Sequence, residues 1–212
     1  MANFFSASQE EQQEILLSIW QRFKYLIIGF FVLLVVFVVA RDYVKESRNE
    51  SDLKTSILFQ EYLESDEDIP SSGQELLDAY PETLYSDFVR LNQAKKEFLK
   101  GEKDRAIDLL QIVIDRHSDS SEEFNPLVTA AKVRLCRIYI SKKEYQSVLD
   151  TLSNSEVLTA SLLELKGDAE NALGQYEFAR ISYMRALQNS PSQTSRALIN
   201  MKISDVEGEK VE

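Results

Sequence analysis

The sequence predicts an all-α fold: a single N-terminal transmembrane helix followed by a solenoid of helical hairpins. Three observations lead there. The sixteen residues 25–40, YLIIGFFVLLVVFVVA, carry neither charge nor proline. From residue 74 onward, apolar residues recur at three- and four-residue steps between short breaks, the pattern of amphipathic helices. No window alternates apolar and polar residues with the period of two that a half-buried strand needs, so no sheet is expected.

The apolar run is the first element. At ~1.5 Å per residue it spans about 24 Å, against a hydrocarbon core of ~30 Å. Ile19, Trp20, Phe23, Tyr43 and Val44 extend its apolar length, and Arg22, Lys24 and Arg41 are long enough to direct their charges toward headgroups. Trp20, with Tyr25 and Tyr43, falls where aromatic belts form. The expected anchor is residues 23–44, preceded by a cytoplasmic segment, residues 1–22, in which Ser8 and Glu11 have capping-box spacing. A core helix is rarely apolar on every side for this length. Val38-Val39-Ala40 has the small-residue spacing of a signal-peptide cleavage site. The acids Glu10, Glu11 and Glu14 and an apolar core longer than ~15 residues speak against cleavage.

Behind the anchor, Tyr43, Val44, Leu53, Ile57, Leu58, Tyr62 and Leu63 continue a helical pattern through the polar run 45–52. Residues 45–73 are expected to be a stalk helix ending in the loop SDEDIPSSG, residues 65–73. Residues 74–207 form the main domain, and residues 208–212 a disordered tail. Breaks fall at Tyr80-Pro81, Gly101, residues 117–125, Lys142-Lys143, residues 153–156, Gly174 and Ser190-Pro191. Asn125-Pro126 places a capping side chain before a proline at the first helical position.

Three of these hairpins superimpose: GEKDRAIDLL from Gly101, KEYQSVLDTL from Lys143 and GQYEFARISY from Gly174. Five positions on stand Ala106, Val148 and Ala179, and four further on stand Leu110, Leu152 and Tyr183. Twelve residues before the first of these sets stand Ala94, Cys136 and Gly167, all small. Small residues let paired helices approach closely, and the large residue fills the gap to the next pair. This is the logic of tetratricopeptide repeats, here degenerate because the units are offset by 42 and 31 residues.

Composition narrows the function. Against 24 Lys and Arg stand 35 Asp and Glu, a net charge of −11 that phosphate backbones would repel, so nucleic acid is not an expected partner. One cysteine, Cys136, excludes an internal disulfide framework, and Asn49-Glu50-Ser51 is a weak glycosylation match. His117 is the only histidine, so no paired-histidine metal site can be built, and its place at a helix end needs no catalytic reason. Cys136 sits in a small packing position, and Asp66-Glu67-Asp68 lacks calcium-loop spacing. Gly101 and Gly174 are isolated turn glycines rather than a phosphate cradle. No catalytic residue, cofactor or metal is expected, and the chain is not expected to be an enzyme.

Binding remains. The first helices of stacked hairpins line a concave face, the usual partner surface of such solenoids. On the register above, Phe88, Leu91, Lys95 and Phe98 face it from the first unit. Val133, Arg137 and Ile140 follow from the second, and Glu164, Asp168 and Asn171 from the third. Phe88, Leu91 and Val133 fit a packed core equally well. A C-terminal helix around residues 197–206 is expected to cap the stack and reach into the groove.

Four segments give the chain a resemblance to a known family: residues 11–31 (EQQEILLSIWQRFKYLIIGFF), 80–110 (YPETLYSDFVRLNQAKKEFLKGEKDRAIDLL), 165–187 (LKGDAENALGQYEFARISYMRAL) and 201–206 (MKISDV). They resemble the YfgM-like family, ancillary subunits of the SecYEG protein translocon, departing at Tyr85-Ser86 and at Leu91-Asn92-Gln93-Ala94. The resemblance implies a single-pass protein of the bacterial inner membrane with a cytoplasmic N-terminus and a periplasmic domain. It would be an adapter handing secreted proteins to periplasmic chaperones, with the SecYEG translocon, a PpiD-type chaperone and the lipid bilayer as partners. Homo-oligomers are left open. Charges around the span point to the opposite orientation, since Arg22 and Lys24 precede it while Arg41, Lys45, Arg48 and Lys54 follow. On that orientation the same fold is a membrane-tethered cytoplasmic scaffold or regulator.

Overall fold

The computed structural model describes residues 9–65, 70–117, 125–153, 155 and 158–209. Nine helices lie among them, and no strand. They are α1 (Gln9–Glu64), α2 (Ser71–Ala79), α3 (Leu84–Lys100), α4 (Lys103–Arg116), α5 (Pro126–Lys142), α6 (Tyr145–Ser153), α7 (Ala160–Ala172), α8 (Tyr176–Asn189) and α9 (Gln193–Glu209). The chain divides into two compact units, Met1–Lys54 and Thr55–Glu212. Ser8 of the expected capping box and the acidic run Asp66-Glu67-Asp68 lie outside the described residues, as do residues 210–212 of the expected tail.

The first unit overturns the expected anchor. Its apolar run is helical, within α1, and Val32 to Val39 are exposed. Among the described residues, however, no helix is long and apolar enough to cross a membrane. A spanning helix needs about 20 predominantly apolar residues. Here the uncharged run stops at sixteen, with Arg22 and Lys24 just before it and Arg41 just after. The transmembrane helix at 23–44 is therefore not supported. The single-pass inner-membrane localisation with a periplasmic domain falls with it, as do the membrane-anchored translocon adapter and the membrane-tethered scaffold.

The second unit is built from three hairpins, α3–α4, α5–α6 and α7–α8, with α9 after them. Each first helix starts on a side-chain cap. Thr83 accepts from the Ser86 N–H at 3.3 Å, Asn125 from the Leu127 N–H at 2.9 Å, and Thr159 from the Leu162 N–H at 3.5 Å. Each also ends in the same turn. The Glu102, Glu144 and Gln175 N–H groups reach back five residues to the carbonyls of Glu97, Tyr139 and Glu170, at 2.9, 2.9 and 2.8 Å. The residue before each donor has a positive φ: Gly101 at 90°, Lys143 at 61° and Gly174 at 74°. This is the Schellman closure, which reverses the chain in two residues and lays the second helix back on the first. In the second hairpin a lysine takes the left-handed position that glycine takes in the other two.

Packing follows the small-residue positions. Ala94 and Ala106, Cys136 and Val148, and Gly167 and Ala179 are all buried, and so are Leu110, Leu152 and Tyr183. Each core joins one hairpin to the first helix after it. Leu91, Ala94, Ala106, Leu110 and Val113 meet Ala131, Leu135 and Ile138 of α5. Cys136, Val148 and Leu152 meet Leu162, Leu165 and Ala169 of α7. Leu163, Ala179, Tyr183 and Ala186 meet Ile199 and Val206 of α9. Each hairpin buries its apolar side only against its neighbour, the defining property of a solenoid.

Ahead of the first hairpin, Leu58 and Tyr62 at the end of α1 pack with Leu76 of α2 and Val89 of α3. Leu53, Ile57 and Leu63, expected on the same pattern, are exposed. The expected loop of residues 65–73 is shorter at its far end, because α2 begins at Ser71. Gly73 is a packing glycine rather than a turn glycine: a Cβ there would lie 2.6 Å from the Tyr62 ring.

Candidate partner-binding face

On α3, Phe88 and Phe98 are 44% and 38% exposed, and Lys95 between them is exposed too. Spacings of seven and three residues put the three on one side of the helix. Phe88 is steadied from behind, its ring centroid 5.8 Å from that of Phe59 near the end of α1. Leu91, placed by sequence in the same row, is only 5% exposed and belongs to the core. On α5, Arg137 is exposed, whereas Val133 and Ile140 are half-buried against the core of the second hairpin.

The third hairpin offers no open polar row. Lys202 of α9 puts its ammonium 2.7 Å from Glu164 Oε1 and 2.7 and 2.9 Å from the two oxygens of Asp168. The Tyr183 hydroxyl donates to Asp168 at 2.8 Å, and Lys202 stands 5.7 Å above the Tyr183 ring. Burial alone would lower the Lys202 pKa, but hydrogen bonds to Asp168 and Glu164 outweigh it, so the ammonium is held above its ordinary range. Burial first, and the Asp168 charge second, push the Tyr183 phenol up. Glu164 and Asp168 thus serve to dock α9. Asn171 is half-buried, with its Oδ1 buried and unbonded. Sequence reasoning missed this lock because Lys202 lies 34 residues from Asp168 and shares no repeat position with it.

A second polar cluster was also missed. Asp87, fully buried in α3, accepts from Arg90 at 3.2 Å and pairs with Arg116 at 2.8 Å. His117 Nε2 lies 2.9 Å from Oδ2, the oxygen that Arg116 also engages, while Arg90 holds Oδ1. Arg90 and Arg116 also donate to the Pro81 carbonyl. His117, which sequence assigned to a helix end, does end α4 but also faces Asp87. These groups tie the turn before α3 to the ends of both helices, a structural role.

The remaining reactive groups are quiet. Burial pushes the Cys136 thiol up to about 12, with Lys132 opposing only in part. Among the described residues, no group of three or more His, Cys, Asp and Glu side chains could hold a metal ion.

Caps, Schellman turns and neighbour-only cores define a helical-hairpin repeat protein. The family comparison agrees: the model of the tetratricopeptide repeat-like domain matches residues 18–208. The chain belongs to that family. No curated protein and no solved structure matches it. The family is one of protein–protein scaffolding rather than catalysis, and on that membership the chain is not an enzyme.

Proposed function

We propose that the chain is a non-catalytic adapter that holds a partner protein against the exposed side of α3, with Arg137 of α5 extending the contact. The observation that carries this reading is the row Phe88, Lys95 and Phe98. Two large aromatic rings and a cation stay exposed along one side of the first helix of a repeat. Buried aromatic anchors dominate interface energetics, and a rigid helix presents them without an ordering cost. A partner offering an apolar helix side or an extended apolar segment with an acidic residue would match the row.

The finer kinship, to the YfgM-like family, is part of this proposal and rests on the four segments quoted above. Of the partners it names, the SecYEG translocon and a PpiD-type chaperone are candidates for the binding test.

The test is site-specific photo-crosslinking in cells, with the reactive group placed at Phe88, Phe98 or Arg137 and, as controls, at Gln188 and Asp150. A partner band shared by the first three positions and absent from the controls supports the reading. It should weaken at least tenfold in a Phe88→Ala, Phe98→Ala double variant, about 1.4 kcal/mol or more. Equal crosslinking at test and control positions would overturn it.

A further inference from the structure

The basic charge of this acidic chain collects on α5. Lys132, Arg134, Arg137 and Lys142 stand on it without an acid, in a sequence whose net charge is −11. Lys142 pairs with Asp104 and Glu144, and Lys132 donates to Ser155 at 2.7 Å. Arg134 instead reaches α3, where it donates to the Leu91 carbonyl at 2.8 Å. In the helix ladder that carbonyl also receives the N–H four residues on, so the guanidinium lies beside the turn that carries Lys95. Arg137 follows Lys95 by 42 residues, the offset between their repeats, so the two hold the same place on neighbouring first helices. We propose that Lys95, Arg134 and Arg137 form a basic patch that binds an extended acidic segment of a partner protein, through carboxylates two or three residues apart. The inference rests on the partner face proposed above and names the chemistry of its occupant.

Among the described residues none of these three cations has an ion pair, and Lys95 and Arg137 are exposed. The two acids of α3 are buried and engaged with other groups. Asp87 is held by Arg90, Arg116 and His117, and Glu97 by Lys100 and Arg105. At the next equivalent position, on α7, Asp168 is held by Lys202. Like charges set side by side without a counter-ion cost stability, and such local conflicts gather at functional sites. The patch therefore selects an anion.

Its layout narrows which anion. Only Nη1 of Arg134 is bonded to Leu91, which leaves Nε and Nη2 to hold a carboxylate through two parallel N–H groups. Packed helices lie ~8–10 Å apart, and carboxylates two or three residues apart on an extended segment, at ~3.3 Å per residue, stand ~7–10 Å apart. Phe88 and Phe98 flank Lys95 along α3 and offer apolar contact to the side chains beside those carboxylates. A nucleic acid or an anionic lipid surface brings many charges at once, which the acids of a chain at −11 repel. A short segment brings few, and screening over ~8 Å confines their interaction to the patch.

The experiment titrates the full chain into dye-labelled, end-blocked peptides of glycine and serine. One carries two leucines around two glutamates three positions apart, and the other has glutamines in place of the glutamates. Fluorescence anisotropy gives affinity. The glutamate peptide should bind about tenfold tighter than the glutamine peptide at low salt, and the ratio should shrink as salt rises. Arg137→Gln, an exposed substitution that leaves the core intact, and Arg134→Gln should each cut the ratio about threefold or more. The Phe88→Ala, Phe98→Ala variant should weaken both peptides alike and keep their ratio, so unchanged binding there would overturn the aromatic row and leave the patch standing. Equal or absent binding of the two peptides, or a ratio that both arginine variants leave intact, would overturn the proposal. So would binding of phosphatidylglycerol vesicles or of a single-stranded oligonucleotide in place of the glutamate peptide.

Discussion

Gly167→Ala tests the close approach on which the third hairpin depends. A Cβ at Gly167 would lie 2.5 Å from Cε1, 2.6 Å from Cδ1 and 3.0 Å from Cζ of Tyr183. Carbon atoms ordinarily rest ~3.5–4.0 Å apart, so the ring must retreat by roughly 1 Å. Tyr183 has little room to do so: it is 2% exposed, and its hydroxyl is fixed on Asp168. Overpacking of this kind costs ~1–3 kcal/mol. A weakened bond to a charged carboxylate adds ~1 kcal/mol, and the helix preference of alanine returns a similar amount. The net expectation is a loss of about 1–3 kcal/mol. At an m-value of ~2 kcal/mol/M, the urea midpoint falls by roughly 0.5–1.5 M. Far-UV circular dichroism in urea measures it for Gly167→Ala, Tyr183→Leu and the double variant. With the ring gone, alanine should be neutral or mildly stabilising, which leaves a coupling term of ~1–3 kcal/mol. A single variant as stable as the parent, or an undiminished loss in the Tyr183→Leu background, would refute the reasoning.

Asp87→Ala leaves the buried Arg90 and the partly buried Arg116 without their shared carboxylate and should cost about 3 kcal/mol, read from thermal or urea unfolding. Cys136, buried and with its thiol pushed up to about 12, should react with a thiol reagent only as fast as the second hairpin opens, so labelling should speed up with urea in step with unfolding. The raised Lys202 pKa sets a pH window: its stabilisation is fully present below the unfolded value near 10.5 and is lost as pH rises through the higher folded value. Hydrogen exchange in α9 should therefore lose protection only in the alkaline limb, after correction for intrinsic rates, and Lys202→Met should abolish that step. Lys143→Gly, at a φ of 61° that costs a lysine and not a glycine, should stabilise by about 0.5–1 kcal/mol in the same urea assay.

Most of the second unit was legible in the sequence, because local rules decide it. The breaks at Gly101, Lys142-Lys143 and Gly174 became Schellman turns, Asn125-Pro126 became a capped start, and the small positions found each other across the hairpins. What sequence could not supply came from long-range pairing. Leu91 fits the row of Phe88 and Lys95 by spacing, yet it turns into the core because α4 and α5 meet there. Glu164 and Asp168 looked like open groove residues until Lys202 arrived from a helix outside the three repeats. His117 was read from its helix alone, although its partner Asp87 lies 30 residues away. The apolar run of residues 25–40 misled for another reason: with its apolar flanks counted in it was read as a span, while the uncharged stretch itself stops at sixteen residues, short of the about 20 that a span needs.

The hairpins are fastened by different means, and temperature should tell them apart. The first adds to its apolar core a knot of ionic contacts around Asp87, and the third adds the lock at Lys202. Among the described residues, the second rests on Cys136, Val148, Leu152 and their apolar neighbours, and its ion pairs, Lys142 with Asp104 and Glu144, lie toward the surface rather than in the core. Burial of apolar surface loses strength on cooling, whereas ionic contacts do not depend on that driving force. Near freezing, the middle of the array becomes its weakest link, and the two ends would part there.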